Sequence, residues 1–355
     1  MRHLELFSGI GGFRRALELL THDGVMDFDS IGYSEIDANA IKTYKENYHP
    51  SDKEIFLGDI VNFTQDKDKI TKLPNFELLT GGFPCQTFSM MGKMAGFDEE
   101  RGQMFFRIID ILKIKHPRYV ILENVKNIYT HDNKRTFAKI QEELHDLNYN
   151  VISGIFNTED FHLPQKRSRV IIFATLDELP INQFDMQEVK NLFDNDYNHL
   201  SVSHYNTVID ILRRNVDTKY FLSEKIKPTL LSDGSAGFRS KSDINQIIAR
   251  PLTATMHKMH RACQDNYYSQ NFIDSAGRDN PVEYMNKDEL SRLAIRKITP
   301  EEAFMLQGFP SEFATRARKI GVSNGALYRQ AGNAVSINTV YAVMYYLITN
   351  NLINE

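Results

Sequence analysis

The sequence predicts an α/β protein with a doubly wound, mostly parallel sheet and a second, smaller, loop-rich domain. In the first half of the chain, short apolar segments alternate with longer segments of helical apolar spacing, which is the pattern of successive βαβ units. This alternation stops after Pro180, and Ser, Asn, Asp, Lys and Gly crowd positions 190–290. The 355 residues also exceed the length of one ordinary domain.

The strands and helices of the first half follow in order from these apolar patterns. Each predicted strand is a short apolar run, and together they cover residues 4–7, 30–34, 55–57, 76–80, 119–122, 150–156 and 170–174. Helical spacing predicts helices over residues 13–20, 38–48, 104–114 and 136–147. Near the end, Thr299, Pro300 and Glu302 form a capping box that begins a helix, and a last helix is predicted over residues 335–348.

Two domains are therefore expected, with residues 1–180 and 292–355 in the first and residues 181–291 in the second. With 42% hydrophobic residues, the composition is that of a globular protein with a sizeable core. No apolar run is long enough to cross a membrane and no leader precedes the first strand, so a cytoplasmic protein is expected. In that reducing compartment the two cysteines are expected to be free thiols.

Cys85 follows the fourth predicted strand in the run GGFPCQ, residues 81–86. Open α/β sheets carry their functional groups at the carboxyl ends of strands, which is where this thiol is expected. The preceding glycines remove packing side chains and Pro84 has a fixed φ, so the cysteine is a poor filler of a core. We interpret Cys85 as a nucleophile, and the alternative is a buried structural cysteine.

The ends of the first three strands together predict a nucleoside pocket. The first strand leads into FSGIGGF, residues 7–13, a glycine-rich turn that brings backbone amides close to a ligand at a helix N-terminus. The turn is not a complete dinucleotide fingerprint, because Arg14 stands where the last glycine is required. Glu35 can accept both hydroxyls of a ribose, and Asp59 can accept an adenine amine. The alternative is that Asp59 only caps a helix and Glu35 is a solvated charge.

Two further strand ends carry charged side chains. Glu123 ends the fifth strand and lies beside the cysteine if strands four and five are neighbours, which pairs a carboxyl group with a thiol for covalent attack and proton transfer. A surface glutamate is the alternative. In QKRSR, residues 165–169, the two-residue period of a strand puts Arg167 and Arg169 on one face, and Lys166 is expected to point away from it. Two guanidinium groups suit a phosphate or a polar base edge.

These motifs, in this order, resemble those of the DNA (cytosine-5) methyltransferases of bacterial restriction-modification systems. The resemblance covers about residues 3–180 and 292–348, and it includes IRKITPEEAFMLQGFP at 295–310 and QAGNAV at 330–335. It implies a Rossmann-like methyltransferase sheet and S-adenosyl-L-methionine as the cofactor, released as S-adenosyl-L-homocysteine. The cofactor-binding residues that it implies are Phe7, Gly9, Ile10, Gly11, Gly12, Glu35, Ile36, Asp59, Ile60, Pro84, Asn333 and Ala334.

The resemblance also implies the chemistry. Cys85 is expected to add to C6 of a cytosine flipped out of duplex DNA, which makes C5 nucleophilic toward the methyl group. Glu123 is expected to hold N3 and the exocyclic amine, and Arg167 to support O2, with Arg169 completing the catalytic set. No metal is expected, and the group that removes the C5 proton is left open.

Two positions depart from the pattern of the family. Ile36 stands where an aromatic side chain often stacks on the adenine, so Phe7 and Ile60 are expected to provide the stacking surface instead. Met91 stands where relatives often have a small residue, and it is a candidate for an apolar wedge into the base stack. Neither position carries a reactive group.

The irregular region is expected to read the DNA sequence. Between Arg239 and Arg261 it has five basic residues and a single acid, Asp243, although a solvated polar loop is the alternative. A zinc site at the nearby histidines and cysteine is not expected, because a fourth ligand is missing. The predicted DNA-contacting residues, including those of the catalytic loop, are Gln86, Ser89, Met91, Lys93, Arg101, Gln165, Arg250, Thr253, Thr255, His257, Lys258 and Arg261.

Two other kinds of protein stay open. An RNA cytosine-5 methyltransferase would use the same thiol and glutamate, and its single-stranded substrate would stack on aromatic side chains such as Tyr267 and Tyr268. A catalytically silent DNA-binding paralogue is expected to have lost Cys85 or Glu123, and both are present. The resemblance favours a monomer on double-stranded DNA that protects it from a separate cognate restriction endonuclease, with an orphan or phage-encoded enzyme as the alternative.

Overall fold

The computed structural model describes residues 1–84, 104–233, 241–258 and 262–354, which form two compact units. Unit 1 comprises Met1–Asn157, Ser168–Val202 and Thr339–Glu355, and unit 2 comprises Thr158–Arg167 and Ser203–Asn338. Residues 292–338, which the sequence analysis joined to the first domain, cluster with unit 2. The division by function into a catalytic and a recognition domain stays a prediction.

Unit 1 contains a seven-stranded sheet with the strand order β3-β2-β1-β4-β5-β7-β6. Strands β1 to β5 pair in parallel, and β7 is antiparallel to both of its neighbours. All seven predicted strands are present, and the predicted doubly wound, mostly parallel sheet is confirmed. The strands are β1 (Arg2–Leu6), β2 (Asp29–Tyr33), β3 (Ile55–Phe56), β4 (Leu78–Gly82), β5 (Tyr119–Val125), β6 (Asn150–Asn157) and β7 (Ser168–Thr175).

Helices flank this sheet, and the four that the sequence predicts in the first half of the chain are present. Three more helices, α3, α4 and α7, were not predicted. Each begins at an aspartate whose carboxylate accepts backbone amides, and each buries too few apolar residues to show a helical period. The helices are α1 (Gly12–His22), α2 (Ala38–Tyr48), α3 (Ile60–Thr64), α4 (Lys67–Lys72), α5 (Met104–Lys115), α6 (Arg135–His145) and α7 (Met186–Asp196).

The core of unit 1 lies between the central strands and the helices that cover them. Strand β5 is a nearly continuous apolar run, as expected for a parallel strand that is buried on both faces. Its residues Val120 and Leu122 pack in one cluster with Ile108 and Leu112 of α5 and Ile140 of α6. This packing holds the carboxyl ends of β4 and β5 in register, and those ends carry the predicted catalytic residues.

Unit 2 has a two-stranded antiparallel sheet, β8 (Tyr267–Ser269) and β9 (Ile295–Lys297), and a small core of its own that includes Leu230, Ile244 and Leu290. The capping box at Thr299 is confirmed: its hydroxyl accepts from the Glu302 amide at 3.2 Å, and the Glu302 carboxylate accepts from the Thr299 amide at 2.7 Å. The helices are α8 (Lys227–Leu231), α9 (Gln270–Asp274), α10 (Lys287–Ser291), α11 (Pro300–Met305), α12 (Ser311–Lys319) and α13 (Asn324–Asn333).

The predicted last helix is present as α14 (Ile337–Thr349), and from Thr339 onward it belongs to unit 1. Three tyrosine hydroxyls of this otherwise apolar helix donate to carboxylates at 2.8 to 3.0 Å: Tyr341 to Asp23, Tyr345 to Asp196, and Tyr346 to Glu188. No helix within the described ranges is both long and apolar enough to span a membrane.

Candidate active site

The turn between β1 and α1 is shaped by residues with positive φ. Phe7, Gly9 and Gly11 have φ values of 54°, 55° and 80°. A Cβ atom added to Gly11 would overlap the ring of Tyr48, whereas a Cβ atom added to Gly9 would meet nothing within 4 Å. Gly11 is therefore required by the protein's own packing, and Gly9 leaves the space in which a ligand can approach the backbone.

Glu35 ties this glycine turn to the end of β2. One carboxylate oxygen accepts a hydrogen bond from the Gly9 amide at 2.8 Å, and the other accepts from the amides of Ile36 and Asp37, also at 2.8 Å. Because its carboxylate accepts from three backbone amides, Glu35 is not simply a solvated charge. Its carboxylate lies at the edge of the space beside Gly9, where the ribose was predicted.

The adenine end of the predicted pocket differs in part from expectation. Asp59 caps α3, since its carboxylate accepts from the Val61 amide at 2.9 Å and from the Asn62 side chain at 3.0 Å. Ile60 is buried in the core, but Ile36 is 73% exposed. Of these two isoleucines, Ile36 is therefore the one that offers an apolar surface to a ligand.

A buried polar cluster that the sequence analysis missed lies beneath the glycine turn. Glu5 on β1 is fully buried, and burial raises its pKa to about 8 against the opposing effect of the Arg14 guanidinium. Arg14 donates to Tyr44 at 3.2 Å and to both carboxylate oxygens of Glu54 at 2.7 and 3.2 Å. The arginine that breaks the dinucleotide fingerprint thus anchors the first turn of α1. The sequence signal that could have revealed this cluster is Glu5, an acidic residue between two leucines of the first strand.

Strands β4 and β5 are adjacent, which is the condition on which Glu123 was expected beside the cysteine, and Gly82 lies opposite Glu123 in their parallel register. The buried Asn124 side chain donates to the Phe83 carbonyl at 2.9 Å, so the two strand ends are bonded to each other. Pro84 follows and is exposed. The remaining residues predicted for this loop lie outside the described residues: Cys85, Gln86, Ser89, Met91, Lys93 and Arg101.

Glu123 forms an ion pair with Arg169. The Arg169 Nε atom lies 3.0 Å from a carboxylate oxygen, and the two side chains are 21% and 12% exposed. The antiparallel register of β5 and β7 sets this pair, because Arg169 lies opposite Val125, two residues from Glu123 on the same face. Glu123 is therefore a mostly buried, charge-compensated group at the strand end.

Of the two arginines that were predicted to share a strand face, only Arg169 lies within a strand. Strand β7 begins at Ser168, so Arg167 precedes it and belongs to unit 2. Its buried guanidinium donates to three carbonyl oxygens of that unit, Leu252 at 3.1 Å, Gly332 at 3.2 Å and Ala334 at 2.8 Å. Arg167 thus joins separate segments of the chain.

Gln165 is also internal. Its amide donates to the Leu306 carbonyl at 2.9 Å and accepts from the Leu252 amide at 2.9 Å. Because this side chain has no exposed surface, Gln165 holds the loop together and offers no contact to DNA. Lys166, between the two internal residues, is exposed as predicted.

The predicted recognition segment, residues 250–258, is anchored at its start. The Arg250 amide donates to the Asn266 side chain at 2.8 Å, and Leu252 is held on both sides by the QKRSR loop. A Cβ atom on Gly332 would overlap the main chain of Thr253 and Ala254, so the segment touches α13 directly.

The other predicted contact residues of unit 2 differ in exposure. Thr255 and Lys258 are exposed, while Arg250, Thr253 and His257 are partly buried, and Arg261 lies outside the described residues. Partial burial and the nearby charge of Lys258 lower the pKa of His257. In the QAGNAV motif, Asn333 is exposed and Ala334 is buried.

Comparison with known proteins gives a consistent result. The sequence model of one family, described as C-5 cytosine-specific DNA methylase, matches residues 1–349. The Type II methyltransferase M1.ScrFI of Lactococcus lactis subsp. cremoris is 35% identical over 340 residues, which are 96% of this chain and 76% of the relative. M.SsoII of Shigella sonnei is 32% identical over 352 residues, 98% and 80% of the two chains. The crystal structure of the S. pombe Dnmt2 methyltransferase matches with a TM-score of 0.75 at 20% identity over 99% of both chains, which shows a common fold.

Proposed function

Because this chain belongs to the C-5 cytosine-specific DNA methylase family and is a DNA (cytosine-5-)-methyltransferase, we propose that it methylates a specific short sequence of duplex DNA. The proposed target is C5 of a cytosine flipped out of the duplex, and the proposed methyl donor is S-adenosylmethionine. One observation carries the proposal: β1, β4 and β5 are adjacent and parallel. The glycine turn, the residues that lead to Cys85, and Glu123 therefore share one edge of the sheet.

The described residues fit S-adenosylmethionine. Open space beside Gly9 allows close approach to the backbone, the Glu35 carboxylate lies at the edge of that space, and the exposed Ile36 offers an apolar surface for a base. We propose that these three residues, with Asp59, hold the cofactor. When bound, S-adenosylmethionine supplies an electrophilic methyl group.

The chain's own residues supply the rest of the chemistry. We propose that the Cys85 thiolate adds to C6 of the cytosine, so that C5 becomes nucleophilic, and that Glu123 holds N3 and the exocyclic amine while charge builds on the ring. Arg169 compensates the charge of Glu123 at 3.0 Å and keeps the carboxylate oriented. After methylation, loss of the C5 proton and release of the thiol regenerate the enzyme. The base must leave the stack for any of this, as is general for enzymes that act on a base.

The RNA alternative gains no support from unit 2. Tyr267 and Tyr268, the aromatic residues that a single-stranded substrate would use for stacking, are 2% and 0% exposed. Both lie in the short strand β8, and Tyr267 packs in the small core of unit 2. Duplex DNA is therefore the proposed substrate.

We further propose a restriction-linked role for a monomer in the cytoplasm, with a separate cognate endonuclease. The named Type II relatives support this role. The first experiment is transfer of labelled methyl groups to unmethylated duplex DNA, followed by base-resolution mapping of 5-methylcytosine. Methyl groups at one short recurring site support the proposal, and no incorporation by a protein that binds the cofactor contradicts it.

Gly9→Ala is expected to weaken S-adenosylmethionine binding by at least roughly tenfold, because the new methyl group projects into the space where the ligand meets the backbone. The fold itself loses only about 1 kcal/mol, the strain of alanine at positive φ. Isothermal titration of the cofactor measures the effect. Gly24→Ala is the matched control, since Gly24 also has positive φ (69°) and no atom within 4 Å of its added Cβ. Equal cofactor affinity in the two variants would contradict the assignment.

A further inference from the structure

Lys297, the last residue of β9, is a partly buried cation that the proposed chemistry does not use. Its ammonium lies 5.4 Å from the centre of the Tyr328 ring, and burial lowers its pKa. Within the described ranges it forms no ion pair. Holding an ammonium group in such a place opposes folding, and one cation–π contact offsets only part of that cost. A ligand of opposite charge would explain why a lysine stands here.

The recognition segment runs along α13 beside this lysine. Thr253 and Ala254 touch the helix at Gly332, and the His257 ring touches it at Gly325, where an added Cβ would lie 3.4 Å from the imidazole Cδ2. The two glycines are seven positions apart, about 10 Å along the helix, and the segment between its two contacts is folded into turns, with the Lys258 amide donating to the Thr255 carbonyl at 2.9 Å. The segment is therefore held against α13 at two points.

This arrangement gathers positive charge. Arg329 lies one helical turn after Gly325, so it projects from the same side of α13 as the contact with His257. The charges of Lys258, Arg329 and Lys297 all act on His257 and help to lower its pKa. Asp265 is the single carboxylate among the residues that line a small cavity with Lys297 and Tyr328. The positive charges of three cations from three separate segments thus act on the histidine.

We propose that Lys258, Lys297 and Arg329 form a phosphate cluster, a surface of unit 2 that binds the DNA backbone beside the recognition segment. The inference rests on the proposed function and adds two residues, Lys297 and Arg329, that lie outside the predicted recognition domain. Cations fixed on a helix and a strand suit phosphate groups, whose positions do not depend on sequence. The cluster therefore sets affinity and register, while the polar side chains of the segment read bases.

The test is the affinity of the full chain for its methylation site and for an unrelated duplex, measured at several salt concentrations. Lys297→Gln and Arg329→Gln are each expected to weaken binding to both duplexes equally and to lower the slope of log K against log salt by about 0.9. S-adenosylmethionine affinity is expected to stay at the wild-type value, and the melting temperature is not expected to fall, since Lys297→Gln removes a charge whose partial burial opposes folding. Lys297→Arg is expected to restore the slope.

Lys319→Gln, on the exposed end of α12, removes the same charge outside the cluster and is the matched control. Suppose that Lys297→Gln and Arg329→Gln both keep the wild-type slope of log K against log salt while the wild-type protein methylates the duplex. The phosphate cluster is then overturned and the proposed function stands. If the wild-type protein neither binds nor methylates duplex DNA, both fall. A loss limited to the methylation site would also overturn the cluster, because it would indicate base contacts.

Discussion

Glu123→Gln is expected to lower the rate of methyl transfer by about 10²–10⁴-fold, the range for a group that manages protons and charge in a transition state. Glutamine has nearly the same shape, but its neutral amide cannot exchange a proton with the ring or neutralise a protonated ring nitrogen as a carboxylate does. It also removes the negative charge that lies 3.0 Å from the Arg169 guanidinium, which is 21% exposed. The measurement is a single-turnover rate with saturating cofactor and duplex DNA.

Two other variants give the lowest and the highest methyl-transfer rates with which Glu123→Gln is compared. Cys85→Ala removes the proposed nucleophile and is expected to abolish transfer while cofactor binding survives. Glu77→Gln makes the same chemical change at the exposed ion pair with Arg2 and is expected to leave the rate unchanged. A rate for Glu123→Gln equal to that of Glu77→Gln would contradict the role of Glu123. Methylation by Cys85→Ala would contradict the covalent mechanism.

Glu302→Gln is expected to lower the free energy of unfolding of unit 2 by about 3–5 kcal/mol, because it breaks a fully buried ion pair and leaves one charge behind. The Arg296 and Glu302 side chains are both 0% exposed and share two hydrogen bonds, of 2.8 and 2.9 Å. Glu302 also accepts from the amides of Thr299 and Arg213 at 2.7 and 2.8 Å. Glutamine keeps the volume, so the loss reports on charge and hydrogen bonding alone.

Urea denaturation of the full chain, with hydrogen exchange to separate the two units, measures this change. Asp217→Asn is the control in the same unit: it removes the charge from an ion pair with Lys219 whose side chains are both 54% exposed, and asparagine still caps the helical turn. The Asp217→Asn substitution is expected to lower the free energy of unfolding by less than about 1 kcal/mol. A loss for Glu302→Gln no larger than that would refute the argument from burial.

Much of unit 1 was predictable, and the reason is local. Parallel strands buried on both faces read as apolar runs, and the helices that cover them show a clear period, so strand number and order of elements follow from neighbouring residues. The sequence placed Glu123 near the cysteine only on the condition that β4 and β5 are neighbours, and the structure meets that condition, with Gly82 opposite Glu123. Helices α3, α4 and α7 were missed because caps, and not apolar periods, define them.

The sequence by itself determined the family, the parallel sheet, and the placement of the glycine turn and Glu123 at one edge. Only the tertiary structure decided that Arg167 binds carbonyls 85 and 165 residues away and that Gln165 is internal. It also decided that the charges of Lys297 and Arg329 act on His257 of the recognition segment. Local sequence sets backbone period and turn geometry. A buried hydrogen bond between distant segments depends on how those segments pack, and the apolar periodicity of the sequence does not specify that packing.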